Sequence, residues 1–160
     1  MRKEKLYREY RLKSYLNMNH YIIINGKQGQ THPHTWEFVS TIIVAGDNFV
    51  EFRIFENLIE EFLEKYQNQI LNTIEPFDVI VPTIENVTDH FNDELEHLLR
   101  EHGGELVSLE GSETPTRSYI VSHRNEPEFL EQIGRIKTEQ ISSMIDYVVE
   151  QLLSDEQKES

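Results

Sequence analysis

An α+β fold, antiparallel strands carrying helices, is what this 160-residue chain predicts. Three observations point there. Two long runs near the N-terminus alternate apolar and polar residues, the period of a half-buried strand. The period then lengthens to that of amphipathic helices, twice in succession. It shortens again for a closing pair of strands before a last, long helical segment.

The first run spans Leu12 to Ile24, with Leu12, Leu16, Met18, His20, Ile22 and Ile24 on one side. Asn25-Gly26 predicts a turn, and Lys27 to Gln30 are expected to extend it into a loop. In the second run His34, Trp36, Phe38, Ile42 and Val44 share a face, and Gly46-Asp47 close it. Phe55, Leu58, Ile59, Phe62, Leu63 and Tyr66 predict a helix of about 14 residues. A second helix is expected from Thr83, an N-cap residue with Glu85 in the first turn. Val87, Phe91, Leu95 and Leu98 form its buried stripe, and Gly103 ends it. ELVSLEG and RSYIVS read as paired strands around the loop SETPT. The last helix is expected over 126–153, capped by Asn125 with Glu128, with Ile133, Ile136, Met144, Ile145, Val148 and Leu152 on one face. The tail SDEQKES is expected to be disordered. With no internal repeat and no linker, residues 1–160 read as a single domain: a core over 12–123 and an additional helix over 126–153.

Composition excludes several classes of function. A formal charge of -14 opposes nucleic-acid binding, which needs clustered Lys and Arg, although the first residues, MRKEKLYREYRLK, are locally basic. No apolar run approaches the ~20 residues of a membrane span, and no signal peptide is evident. A cytoplasmic location is therefore expected. The chain contains no cysteine, which removes disulfides, thiolate metal sites and a Cys nucleophile together.

The chemistry-bearing residues cluster at the end of the first run and the start of the second. His32 and His34 are two apart on a strand and so project together. His20, on the preceding strand, can supply a third imidazole from across the hairpin. Three neutral imidazoles with an open fourth position make a catalytic-type zinc site. Taken alone, His-x-His does not separate such a site from surface or core histidines.

Other residues bear on that choice. His20, then His32-Pro33-His34, then Pro82-Thr83-Ile84-Glu85-Asn86, then Glu113-Thr114, stand in the order and spacing of a known pattern. It resembles the 6-pyruvoyl-tetrahydropterin synthase and 6-carboxy-tetrahydropterin synthase family. There a His on the first long strand is followed by His-Gly-His, a Pro-Thr-x-Glu-Asn helix start and a late Glu-Thr. FVEFRIFENL stands where the family usually has a Val-x-Asp-Phe-x-x-Leu helix entry. The resemblance runs from about Leu12 to Val121. It implies the tunnelling fold (T-fold): a four-stranded antiparallel sheet with two helices on one face, here plus an extra C-terminal helix. It also implies zinc held by His20, His32 and His34, and a homo-oligomer, a hexamer by expectation, joined edge to edge. A pterin-like ligand would be anchored by Glu113, whose carboxylate can accept from an amino group and a ring N–H side by side. Thr83 and Thr114 would stand beside it.

The chain departs from the pattern where the family's protons move. Gln28 occupies the place of the usual Cys. Gln67 and Asn68 align with an Asp-His pair, with Leu71-Asn72 retained. Amides do not titrate near neutral pH, so all three proton carriers are replaced and the catalytic residues are unknown. His90, His123, Glu37 and Glu110 are the available stand-ins, and nothing selects among them. Pro33 replaces a Gly and favours extended geometry at His32. Lys27 and Arg53 are the basic residues nearest the motifs, but the overall charge disfavours a polyanion such as a triphosphate. Two functions remain. One is a zinc-dependent carbon–oxygen lyase of the 6-pyruvoyl-tetrahydropterin synthase type with a different proton route or substrate. The other is a non-catalytic pterin- or purine-binding, or regulatory, paralogue. The last helix serves either as a docking element or as a cover over the sheet or a neighbouring subunit.

Overall fold

The computed structural model describes residues 7–45 and 51–156. The basic N-terminal residues before Tyr7, the Gly46-Asp47 turn and the last four residues of the chain lie outside that description. The described order is β1 (Tyr7–His20), β2 (Ile23–Ile24), β3 (Lys27–Gln28), β4 (His32–Ala45), α1 (Phe52–Glu64), α2 (Ile84–Glu101), β5 (Glu105–Thr114), β6 (Arg117–Ser122) and α3 (Pro127–Glu156). β1, β4, β5 and β6 form one antiparallel sheet in the order β1-β4-β5-β6.

The alternation of β1 and β4 has a direct structural cause. Leu16 and Met18 of β1, with Trp36, Phe38, Ile42 and Val44 of β4, face the same side and are buried under α1 and α2. Phe55, Ile59 and Leu63 of α1 and Val87, Phe91, Leu95 and Leu99 of α2 complete that core. Opposite Thr41 and Ile42 of β4, Val107 is the unpaired extra residue of a bulge in β5. Thr83 caps α2 as expected, its Oγ1 accepting from the Asn86 N–H at 3.2 Å. Gly103, at φ +84°, supplies the left-handed residue that ends the helix.

Five sequence expectations are corrected. β1 stops at His20 instead of running to Ile24. Ile23 and Ile24, both half or more exposed, turn away into a small hairpin with Lys27 and Gln28. Asn25 and Gly26, both at positive φ, make its two-residue turn, so the expected loop contains a short strand. β5 continues through Ser112, Glu113 and Thr114, leaving only Pro115 and Thr116 between it and β6.

The cap of α3 also moves. The helix begins at Pro127, where a missing N–H costs nothing, and the Glu126 carbonyl accepts the first helical bond from the Leu130 N–H. Finally, only the start of α3 is buried. Phe129 and Ile133 pack with Ile43 and Val107 on the sheet face opposite α1 and α2, and Ile136 lies against them. Met144, Ile145, Val148 and Leu152 of the expected stripe are 39% to 62% exposed. A 30-residue helix is about 45 Å long and outruns the sheet beneath it.

Candidate metal centre

The register of the first hairpin determines the site. His20 lies directly opposite His32, and Met18 opposite His34. All three histidines share the face of Leu16 and Trp36, so their rings converge at one end of the core, with centroids 4.7 Å to 5.0 Å apart. The buried Trp36 forms the floor, its ring 5.0 Å from that of His20 and 6.0 Å from that of His34. The fourth member is Glu113. Counting along β5, Leu109, Gly111 and Glu113 share the core face, and Glu113 is the unpaired residue of a bulge between Ser112 and Thr114. His20, His32, His34 and Glu113 each offer a donor atom, and these four atoms lie within 4.8 Å of one another.

Two imidazoles are oriented by main-chain carbonyls. His20 Nδ1–H donates to the Pro82 carbonyl at 2.7 Å, and His32 Nδ1–H donates to the Gln30 carbonyl at 2.8 Å. Each bond assigns the proton to Nδ1 and leaves Nε2 with a bare lone pair. These two Nε2 atoms are 3.1 Å apart. Two lone pairs at that distance repel unless a cation or proton lies between them.

Burial pushes the pKa of His20 down, the Pro82 carbonyl and Glu113 opposing and the neighbouring imidazoles reinforcing it. Burial likewise lowers His34, against the pull of Glu113. Both rings are therefore neutral at neutral pH, the form in which imidazole binds metals. His34 Nε2 is buried and has no hydrogen-bond partner, although Glu113 Oε1 is only 2.9 Å away. The two atoms are close but not aligned for a hydrogen bond. An orphaned nitrogen, two facing lone pairs and a carboxylate are donors suited to a divalent metal, and zinc takes this set readily.

The remaining motif residues sit around this cluster. Thr83 is the α2 cap, and its neighbour Pro82 is the residue whose carbonyl holds His20. Thr114 ends β5 and is exposed, its hydroxyl 3.3 Å from that of Thr116. Sequence reasoning missed the roles of the Pro82 and Gln30 carbonyls, because a backbone carbonyl leaves no mark in residue type. It named Asn72 as a retained motif residue but not its role: its side chain makes two 3.0 Å bonds to the Tyr21 main chain and anchors the strand just past His20.

The Gln67 side chain and the Asn68 main chain both bind β1. Gln67 accepts from the Asn17 N–H at 2.9 Å and donates to the Tyr15 carbonyl at 2.7 Å, while the Asn68 N–H donates to the Asn17 carbonyl at 2.6 Å. The stand-in bases are occupied elsewhere. Glu37 lies on the outer sheet face with Tyr15 and Lys13. His90 contacts the Tyr66 hydroxyl at 3.3 Å and the Phe77 ring. His123, buried rather than on the surface, bonds Asn92 and Glu126 beside Val107, about 20 Å along β5 from Glu113. Glu110 lies one residue out of step with the core-facing Leu109 and Gly111.

Comparison with known proteins agrees with this architecture. Among curated proteins, no sequence relative matches. Among solved structures, 6-pyruvoyl tetrahydropterin synthase of Caenorhabditis elegans matches with a TM-score of 0.62 at 14% identity, over 72% of this chain and 95% of that one. The Plasmodium falciparum synthase matches at 0.54 and 16% identity, over 73% and 98%. An uncharacterised protein of Wolinella succinogenes matches at 0.53 and 13% identity, over 75% and 100%. At such identities these neighbours establish the fold, a T-fold with three helices. The family pattern for 6-pyruvoyl tetrahydropterin synthase matches residues 9–124, well over half of the chain and every strand of the sheet. This chain therefore belongs to the 6-pyruvoyl tetrahydropterin synthase family.

Proposed function

We propose that this protein binds zinc through His20, His32 and His34 and receives a pterin-like heterocycle beside it, recognised by Glu113 with Thr83 and Thr114. The observation that carries the reading is the pair of carbonyl-locked imidazoles whose bare Nε2 atoms face each other at 3.1 Å. A bound zinc ion would supply Lewis acidity to hydroxyl groups on the ligand side chain. The protein's own part is orientation: Pro82 and Gln30 aim two rings, Trp36 excludes water from below, and Glu113 offers two acceptor oxygens. The remaining parts of the proposal are a single domain over 1–160 and a homo-oligomer, a hexamer as in the family, in which sheet edges meet. A stretch of β1 edge and the β6 edge remain available for that contact.

A second reading, a pterin- or purine-binding relative without lyase activity, is favoured by one specific observation. The Gln67 amide is spent on β1, and neither it nor the amides of Gln28 and Asn68 offer a titrating group.

Metal analysis of the purified protein tests the first claim. We expect about one zinc ion per chain, lost in His32→Ala. Trp36, the single tryptophan, should report zinc binding through its emission. A wild-type protein that takes up no zinc ends this reading. Incubation with dihydroneopterin triphosphate then separates the two functions. Turnover abolished by His34→Ala supports a lyase, and tight binding without product supports the non-catalytic relative.

A further inference from the structure

We infer that the distal half of α3 is an interface with a second copy of this chain, in which two α3 helices pack antiparallel across a twofold axis. The inference goes beyond the edge-to-edge contact proposed above and needs neither that contact nor the metal. The apolar stripe of α3 turns about the helix where the sheet ends. Phe129, Ile133 and Ile136 lie on one line at helical spacing and form the cluster that packs on the sheet. Farther along, the positions on that line are Tyr147, Gln151 and Ser154, all exposed. The apolar residues have moved about 120° round the helix, to Ile141, Ile145, Val148 and Leu152. Their spacing of four, three and four residues is that of a helix–helix seam, and Met144 and Val149 widen it. All six are 39% to 62% exposed. Burying them on two copies removes roughly 1,000 Å² from water, the size at which specific interfaces begin.

Charge selects the occupant. No Lys or Arg stands between Thr138 and Glu156, in a chain of formal charge -14. A membrane surface does not suit such a helix, because interfacial helices carry Lys and Arg on the polar face. A basic partner would need acids beside the seam, but the flanking positions are Ser142, Met144, Val149 and Gln151. Glu139, Asp146 and Glu150 stand on the opposite side of the helix. Two copies can therefore meet along the seam without bringing like charges together. The ends of the seam set the direction. In a parallel pair Asp155, one heptad beyond Val148, would face the partner's Asp155. An antiparallel pair centred between Ile145 and Val148 sets Ile141 against the partner's Leu152. It also brings Asp155 beside the partner's Lys137. Such a contact uses the same patch on both copies and closes on itself.

The chain has no cysteine, so added cysteines report this pairing alone. In the antiparallel pair the two copies of Ile141 are about 16 Å apart along the axis, beyond the ~7 Å that a disulfide spans between Cα atoms. Under mild oxidation the full chain carrying both Ile141→Cys and Leu152→Cys is expected to form a disulfide-linked dimer, and each single variant to stay unlinked. Linking of the single variants would overturn the antiparallel arrangement, and a double variant that stays unlinked would overturn the interface. Light scattering on the cysteine-free protein gives an independent reading. Ile145→Asp combined with Val148→Asp changes two exposed positions and is expected to lower the mass to about half that of the wild type. An unchanged mass would overturn the inference. A wild-type mass of three chains would also overturn it and leave the edge-to-edge contact standing. A mass of two chains that falls to one in the charged variant would support it and remove the edge-to-edge hexamer.

Discussion

Gly111 and Gly134 carry the same absent side chain into opposite surroundings. A Cβ at Gly111 would stand 2.1 Å from Thr88 Oγ1 and 3.1 Å from the Phe38 ring, because α2 crosses β5 there at close range. A Cβ at Gly134, on the exposed flank of α3, would meet nothing within 4 Å. Gly111→Ala is expected to cost about 1–3 kcal/mol, as α2 is levered from the sheet. Gly134→Ala is expected to add about 0.5–1 kcal/mol through helix propensity. Denaturant unfolding of the two variants measures both signs. The lever matters for the site, since the start of α2 carries Pro82 and Thr83. At this scale the three histidines were legible from the parity of two strands. Glu113 had the parity to join them, in step with Leu109 and Gly111, yet its place within reach of the histidine nitrogens was not legible. That depends on a bulge, which adds a residue without changing the composition.

Among the elements, β1 shows most clearly how structure reuses a motif. It is an edge strand, and an open edge invites unwanted pairing. The segment after α1 covers the edge from Tyr15 to Tyr21. Gln67 binds Asn17 and Tyr15, Gln69 accepts from the Asn19 N–H at 2.8 Å, and Asn72 holds Tyr21. Asn68, at φ +57°, turns the chain onto this path. Gln67→Ala removes two partly exposed hydrogen bonds and is expected to cost about 1 kcal/mol. Faster hydrogen exchange at the Asn17 amide would be the local signature. Were these amides a disguised proton relay, stability and exchange would not change. The helices α1 and α2 were readable from their apolar period because both bury a full face. For α3 the same period was misleading. Its stripe is buried at Phe129 and Ile133, with Ile136 partly covered, and then runs on past the sheet.

For the whole molecule, the candidate metal site joins the ends of three adjacent strands of the sheet. β1, β4 and β5 bring His20, His32, His34 and Glu113 together at one end of the sheet. An ion that binds only the folded arrangement stabilises it by mass action, about 2.7 kcal/mol at a concentration of 100 times the dissociation constant. The thermal midpoint is therefore expected to rise with added zinc and to return on chelation. In His20→Ala the rise should vanish, and calorimetry with and without chelator reads the difference.

The sequence by itself determined the α+β class, the hairpin that aligns His20 with His32, and the two core helices. Each of these follows from local periodicity, which a side chain's neighbours along the chain are enough to set. Only the tertiary structure decided where β1 ends, which carbonyls aim the imidazoles, how near Glu113 comes to His34, and how much of α3 is covered. Those depend on distances between residues far apart in the chain, and no local pattern encodes them.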